Sequence, residues 1–302
     1  MSVPGRAQRV VIAHLFPDLL NLYGDRGNVE TLVRRAQWRG IPAEVRGVGG
    51  RDGALLDDAD VIFVGGGADR DQAAVAATIA PLAEPLAAAI ARGAALLAVC
   101  AGYQNLGHAY RSPLIGEIRG PGILDVETNA PADAVRLVGG VVIELTAGSP
   151  AIEAGAASAV AAGVPGGSRF LVGFENHSGR TTLGPSMRPL GRVVVGSGND
   201  AASRDEGAIA MPGDGGIAGL RIGTYLHGPL LPRNPHLADV LLAAGMSRGG
   251  TRETPDLAPL PDTREWLAHA AFEADWRERK PGTTRRSGLG RAIGRIQSLV
   301  GF

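Results

Sequence analysis

An α/β fold, with a central, mostly parallel sheet covered by helices on both faces, is predicted by two features of the sequence. Runs such as Val61-Ile62-Phe63-Val64 and Leu96-Leu97-Ala98-Val99 are apolar at every position, as expected of strands buried on both faces. Segments of helical periodicity separate these runs, so strand and helix alternate through the first part of the chain.

The elements follow in order. Arg9–Leu15 is the first strand. Asn28–Arg39 has helical spacing through Val29, Leu32, Val33 and Ala36, and Gly40 stops it. Pro42–Gly47 is a short strand, and Val61–Val64 runs into Gly65-Gly66-Gly67. Asp71–Arg92 is mostly helix with Gly93 as its cap, and Leu96–Val99 delivers Cys100. After about residue 120 the segments become shorter and β-rich: Leu137–Leu145, Phe170–Phe174, Arg192–Val195, Gly207–Met211 and Gly216–Leu226. Two low-complexity stretches, Ala154–Gly167 and Gly196–Gly207, are predicted to be surface loops, and His236–Met246 is a closing helix. Composition changes at Pro255–Pro261, so residues 1–250 are expected to form one domain and 251–302 a C-terminal extension.

Composition narrows the function classes. The 302 residues carry no formal net charge, with 45% hydrophobic and 20% charged residues, which suits an ordinary globular protein and not an extended nucleic-acid surface. A single cysteine leaves no disulfide framework and fits a reducing compartment. The N-terminus has no apolar stretch of signal-peptide length, and no run of about 18 apolar residues suggests a membrane span. A cytoplasmic location is the expectation.

The chemistry centres on "LLAVCAGYQNLG", residues 96–107, where the one thiol stands at the end of a strand before small residues and a helix start. Cys100 is either a small core hydrophobe or a nucleophile raised on a sharp strand-to-helix turn. A nucleophile needs a base. Of six histidines, His14, His108, His236 and His269 fall in predicted strands or helices, whereas His177 ("GFENHSGRT") and His227 ("GTYLHGPLLPRNP") lie at strand ends. Spacing alone does not choose between these two.

Taken together, "VGGGADRDQ", "CAGYQ", "GFENHSGRT" and "TYLHGPLLPRNP" resemble the triad-type glutamine amidotransferases, in the branch related to cobyric acid synthase. The N-terminal "HLFPDLLNLYGDRGN" narrows the resemblance to the GatD family, the small glutaminase subunits of MurT/GatD lipid II isoglutaminyl synthases; it extends from residue 9 to about 246. It implies a class I glutamine amidotransferase-like three-layer fold, with Cys100 as nucleophile and His227 as general base. Backbone N–H groups of Gly66 or Gly67 and of Ala101 would form the oxyanion hole. Arg136, in "RLVGGVVIE", matches the family's glutamine-binding arginine, whose guanidinium can clamp an α-carboxylate with two parallel hydrogen bonds. Gln104 and His177 would line the pocket, a structural role being the competing reading for each.

The resemblance also implies a partner. No P-loop occurs in the chain, so ATP and Mg are expected on a MurT-like ligase subunit in a heterodimer, and no cofactor on this chain. That partner would bind lipid II and amidate the α-carboxyl of its D-glutamate to D-isoglutamine. A glutaminase serving another synthetase, such as a cobyric acid synthase-like amidase, is the alternative. A non-enzymatic binding module and another cysteine hydrolase are more distant ones.

One departure stands out. Most triad-type members carry an acid two residues after the histidine, and here that position is Pro229. The orienting carboxylate is expected either from this chain, with Glu175 a candidate, or from the partner. Finally, "RERKPGTTRRSG" and "LGRAIGRIQSLVGF" in Arg277–Phe302 join a basic stretch to an amphipathic pattern. Three readings stay open for it: a solvated tail, a helix docking on the partner, or peripheral contact with the inner face of the membrane.

Overall fold

In the computed structural model, the described residues are 9–133, 135–162, 169–211, 216–247 and 257–278. The basic and amphipathic tail segment beyond Glu278 lies outside them.

The N-terminal half alternates as its pattern requires: β1 (Val10–Leu15), α1 (Arg26–Gln37), β2 (Ala43–Val48), β3 (Val61–Val64), α2 (Asp69–Ile79), α3 (Ala83–Ala91), β4 (Ala95–Val99) and the short α4 (Ala101–Asn105). Every residue of β1, β3 and β4 is buried, so both faces of the sheet are covered. Antiparallel and mixed pairings follow: β5 (Ala109–Ser112), β6 (Gly116–Arg119), β7 (Val126–Asn129), β8 (Leu137–Leu145), α5 (Pro150–Ala161), β9 (Phe170–His177), β10 (Arg180–Leu183), β11 (Gly191–Val195) and β12 (Asp205–Glu206). β13 (Ala208–Ala210), β14 (Arg221–Thr224), α6 (Pro235–Met246) and α7 (Thr263–Arg277) complete the order.

The central sheet has the order β13-β14-β4-β3-β1-β2, parallel except for β13. Two four-stranded sheets flank it, β10-β7-β5-β6 and β12-β11-β8-β9. Thus β3, β4 and β14 lie side by side and deliver the glycine loop, Cys100 and the segment leading to His227 to one edge, the C-terminal edge where α/β sheets place their ligands.

One reading of the sequence is corrected by the structure. Ala154–Gly167 is not a loop throughout, since α5 occupies Pro150–Ala161. Alanine is the best helix former and Pro150 sits at the helix start, where its missing N–H has no cost; low complexity here means helix. Asp71–Ala91 is long and apolar enough in mean hydropathy to cross a bilayer, although Gln72, Thr78 and Glu84 leave no unbroken run of 18 apolar residues in it. Alanine accounts for that hydropathy. A 3-10 turn at Ala80–Leu82 divides the stretch into α2 and α3, whose Val75, Ile79, Leu86 and Ala89 join the core.

Candidate active site

Cys100 sits between β4 and α4 with φ +50° and ψ −103°, a conformation that L-residues other than glycine rarely adopt and that is retained where surrounding structure enforces it. The enforcement is visible. The Cys100 N–H donates to Thr224 O at 2.8 Å, and its carbonyl accepts from the Gln104 N–H at 2.9 Å. The Gly102 N–H donates to Gly65 O at 3.0 Å. A Cβ on Gly102 would stand 2.7 Å from Val64 O, and one on Gly223 would stand 2.2 Å from the Tyr103 ring. The small residues after the cysteine are what let α4 press against β3.

His227 is set by a different route. It forms an isolated antiparallel bridge with Phe174 of β9, its N–H donating to Phe174 O at 2.7 Å. Downstream, Asn234 grips β9 through Val172 N–H and O, and the Leu231 N–H donates to Asn28 Oδ1 at 2.8 Å. A Cβ on Gly27 would fall 2.7 Å from Pro229. The two motifs "LYGDRGN" and "LHGPLLPRNP" are therefore one interlocking unit.

The side chain of His227 is buried, and neither ring nitrogen has a hydrogen bond among the described residues. Burial lowers its pKa, but the charge of the facing Cys100 and the neighbouring Asp25 outweigh that and raise it to about 10. The raised value favours a protonated imidazole beside Cys100, and a cation next to a thiol is the kind of surrounding that activates a cysteine for attack.

The amides expected to hold the oxyanion are partly reassigned. The Gly66 N–H donates to Asp25 Oδ2 at 2.6 Å, so it is already engaged. Those of Gly67 and Ala101 have no partner among the described residues, and a Cβ on Gly67 would lie 3.7 Å from Ala101 Cβ.

Gln104 and His177 meet through Tyr225. Gln104 Nε2 donates to the Tyr225 hydroxyl at 3.1 Å, leaving Gln104 Oε1 buried without a partner among the described residues. The His177 ring stacks on Tyr225 with centroids 3.6 Å apart and pairs through Nδ1 with Gly179 O at 2.9 Å. Burial lowers the pKa of His177, with Glu175 only partly opposing it. His177 belongs to the wall of this layer. Arg136 lies at the exposed rim, with Nε donating to Asn176 Oδ1 and a terminal nitrogen to Asn176 O at 3.2 Å. Asn176 Nδ2 donates in turn to the Tyr23 hydroxyl at 2.6 Å, and the Tyr23 ring stands edge-on to His227 at 5.0 Å.

Glu175 does not reach His227. Its carboxylate accepts the N–H groups of Ser197 and Gly198, both at 2.9 Å, and lies 3.7 Å from His177. The acid against His227 is Asp25, whose Oδ1 is 3.7 Å from Nδ1. Sequence reading passed over it because an Asp inside Gly-Asp-Arg-Gly reads as a turn former. The available signal was its place within "LYGDRGN".

A family model for the CobB/CobQ-like glutamine amidotransferase domain matches residues 11–235. The chain belongs to this family. Among curated proteins, the GatD subunit of the glutamine-hydrolysing lipid II isoglutaminyl synthase of Staphylococcus aureus is 36% identical over 242 residues, covering 80% of this chain and 86% of its own. The corresponding subunit of Streptococcus pneumoniae is 30% identical, covering 78% and 80%. A cobyric acid synthase of Pelotomaculum thermopropionicum is 31% identical over 59% of this chain but only 31% of its own length.

Proposed function

We propose that this glutamine amidotransferase hydrolyses glutamine at Cys100 and His227 and supplies the ammonia to a MurT-like, ATP-dependent ligase that converts the D-glutamate of lipid II to D-isoglutamine. The observation that carries the reading is the strained elbow that aims Cys100 at His227 beside the free amides of Gly67 and Ala101. Likeness to both GatD subunits over most of their length favours this partner over a fused, cobyric acid synthase-like arrangement.

The thiolate of Cys100 attacks the side-chain carbonyl carbon of glutamine. Negative charge moves to the carbonyl oxygen, where the Gly67 and Ala101 N–H groups stabilise it. Collapse of the tetrahedral species breaks the C–N bond as the His227 imidazolium gives its proton to the leaving amine, releasing ammonia and leaving a thioester. Neutral His227 then takes a proton from water, hydroxide adds to the thioester, and glutamate departs as the thiolate re-forms. Arg136, steadied by Asn176, offers its guanidinium to the α-carboxylate of glutamine, and Gln104, tied to the Tyr225 hydroxyl, lines the pocket wall. ATP and Mg would be held by the ligase, and a lipid-linked acceptor would bring the complex to the inner face of the membrane.

Reconstitution with the ligase subunit tests the reading. The wild-type chain should support amidation of lipid II with either glutamine or ammonium, and Cys100→Ala with ammonium only. Glutamine-driven amidation persisting in Cys100→Ala would refute the assignment.

A further inference from the structure

We propose that Asp25 is the carboxylate that positions His227, so that this chain supplies a complete Cys–His–Asp set by itself; this rests on the glutaminase reading above. Three observations carry it. Asp25 is fully buried, yet among the described residues only one of its oxygens is satisfied: Oδ2 accepts the Gly66 N–H, and Oδ1 has no hydrogen bond. Directly opposite, 3.7 Å away, is His227 Nδ1, also buried and without a hydrogen bond among the described residues. Buried polar atoms rarely stay unpaired, and a shift of somewhat under 1 Å would bring these two to hydrogen-bonding distance.

The other candidates on this chain are excluded by geometry. Pro229, where related enzymes place the acid, has no side-chain acceptor. Glu175 is held by two backbone amides and faces His177. Among the described residues, the titratable groups that do face His227 are Cys100 at the end of β4, Asp25 before α1, and the Tyr23 ring from the turn preceding it.

The arrangement links two functions. A Cβ on Gly66 would fall 2.6 Å from His227 Cε1 and 3.2 Å from Asp25 Oδ2, so glycine loop, carboxylate and imidazole are mutually fitted. One oxygen of Asp25 fixes the glycine loop. The other holds the proton on Nδ1, which leaves Nε2 to exchange a proton with the thiol and the leaving amine.

Asp25→Asn separates these roles, because the amide oxygen can still accept the Gly66 N–H while the negative charge is lost. With the full chain and its ligase subunit, kcat for glutamate release should fall by ~10²–10⁴-fold with KM changed less than about threefold. The alkaline limb of the rate profile should move to lower pH, since the imidazolium loses a stabilising anion. Asp25→Glu, which keeps the charge, should recover part of the rate. Iodoacetamide labelling of Cys100, the chain's one thiol, should continue in both variants and certify the elbow. Wild-type kcat and an unmoved alkaline limb in Asp25→Asn would overturn the proposal and point to a carboxylate from the partner. So would a loss of rate that comes with equal loss of Cys100 labelling and an unmoved limb, the mark of a structural role. If Cys100→Ala released glutamate as fast as wild type, the glutaminase reading itself would have failed, a result separable from either.

Discussion

At the residue scale, the molecule spends conformational strain on one thiol and locks it from several sides. The position of Cys100 at a strand end was legible in the sequence, because an apolar run followed by Ala101 and Gly102 leaves few other geometries. The choice of His227 over His177 was not legible from spacing. It depends on which strand end lies beside β4, and β14, which leads to His227, is the strand paired with β4. Asp25 was hidden for the same reason: its partner His227 is distant in sequence and adjacent only after folding. Arg136 is the substrate-facing test at this scale. Its guanidinium is already oriented by Asn176 and Ser178 at the rim, so Arg136→Ala should raise KM for glutamine by roughly 10²-fold with a smaller change in kcat. Arg136→Lys should recover little, because an ammonium lacks the planar fork. Steady-state kinetics over a wide glutamine range check both; an unchanged KM would return Arg136 to a structural role.

At the scale of elements, the short β12 and the turn before it do more than their low-complexity sequence suggests. Glu206 is fully buried, and one oxygen accepts Thr224 Oγ1 and the Tyr225 N–H, both at 2.7 Å, which fixes the segment leading to His227. The same turn presents the Ser197 and Gly198 amides that hold Glu175. Glycine-rich composition in Gly196–Gly207 marks backbone donors for buried acids, and periodicity cannot reveal that. Burial pushes Glu206 from an ordinary carboxyl value of 4.5 to about 7, despite those hydrogen bonds. A raised carboxyl pKa favours the neutral form in the folded state. Its stabilising effect is therefore full below the unfolded value and is lost as pH rises through about 7. Glu206→Gln removes this loss. Wild-type stability should drop by about 2–3 kcal/mol between pH 5 and pH 8 from this group, and the variant should lack that part of the drop. Urea unfolding at the two pH values reads the difference; equal slopes in both proteins would contradict it.

At the scale of the whole molecule, the strand–helix alternation and parallel sheet were legible, since continuous apolar runs leave no solvent-facing side. What composition could not convey is how the segment after residue 256 joins the rest. Asp262, just before α7, and Asp239 of α6 share the buried Arg35 of α1 at 2.7 Å each. Trp266 of α7 is buried and donates through Nε1 to Ser158 Oγ of α5. Trp276 of the same helix lies over Gly140, where a Cβ would fall 2.1 Å from its ring. These ties brace α1 and α6, the two helices that begin just after Asp25 and the His227 loop. The sheet, the brace and the interlocked motifs converge on one chemical claim, attack by Cys100 on glutamine. Its most direct measurement is glutamate release from glutamine by the full chain with its ligase subunit, wild type against Cys100→Ala. The expected result is a loss of at least about 10³-fold, consistent with removal of a nucleophile. Release by Cys100→Ala within tenfold of wild type, on the order of 1.4 kcal/mol in barrier, would contradict it.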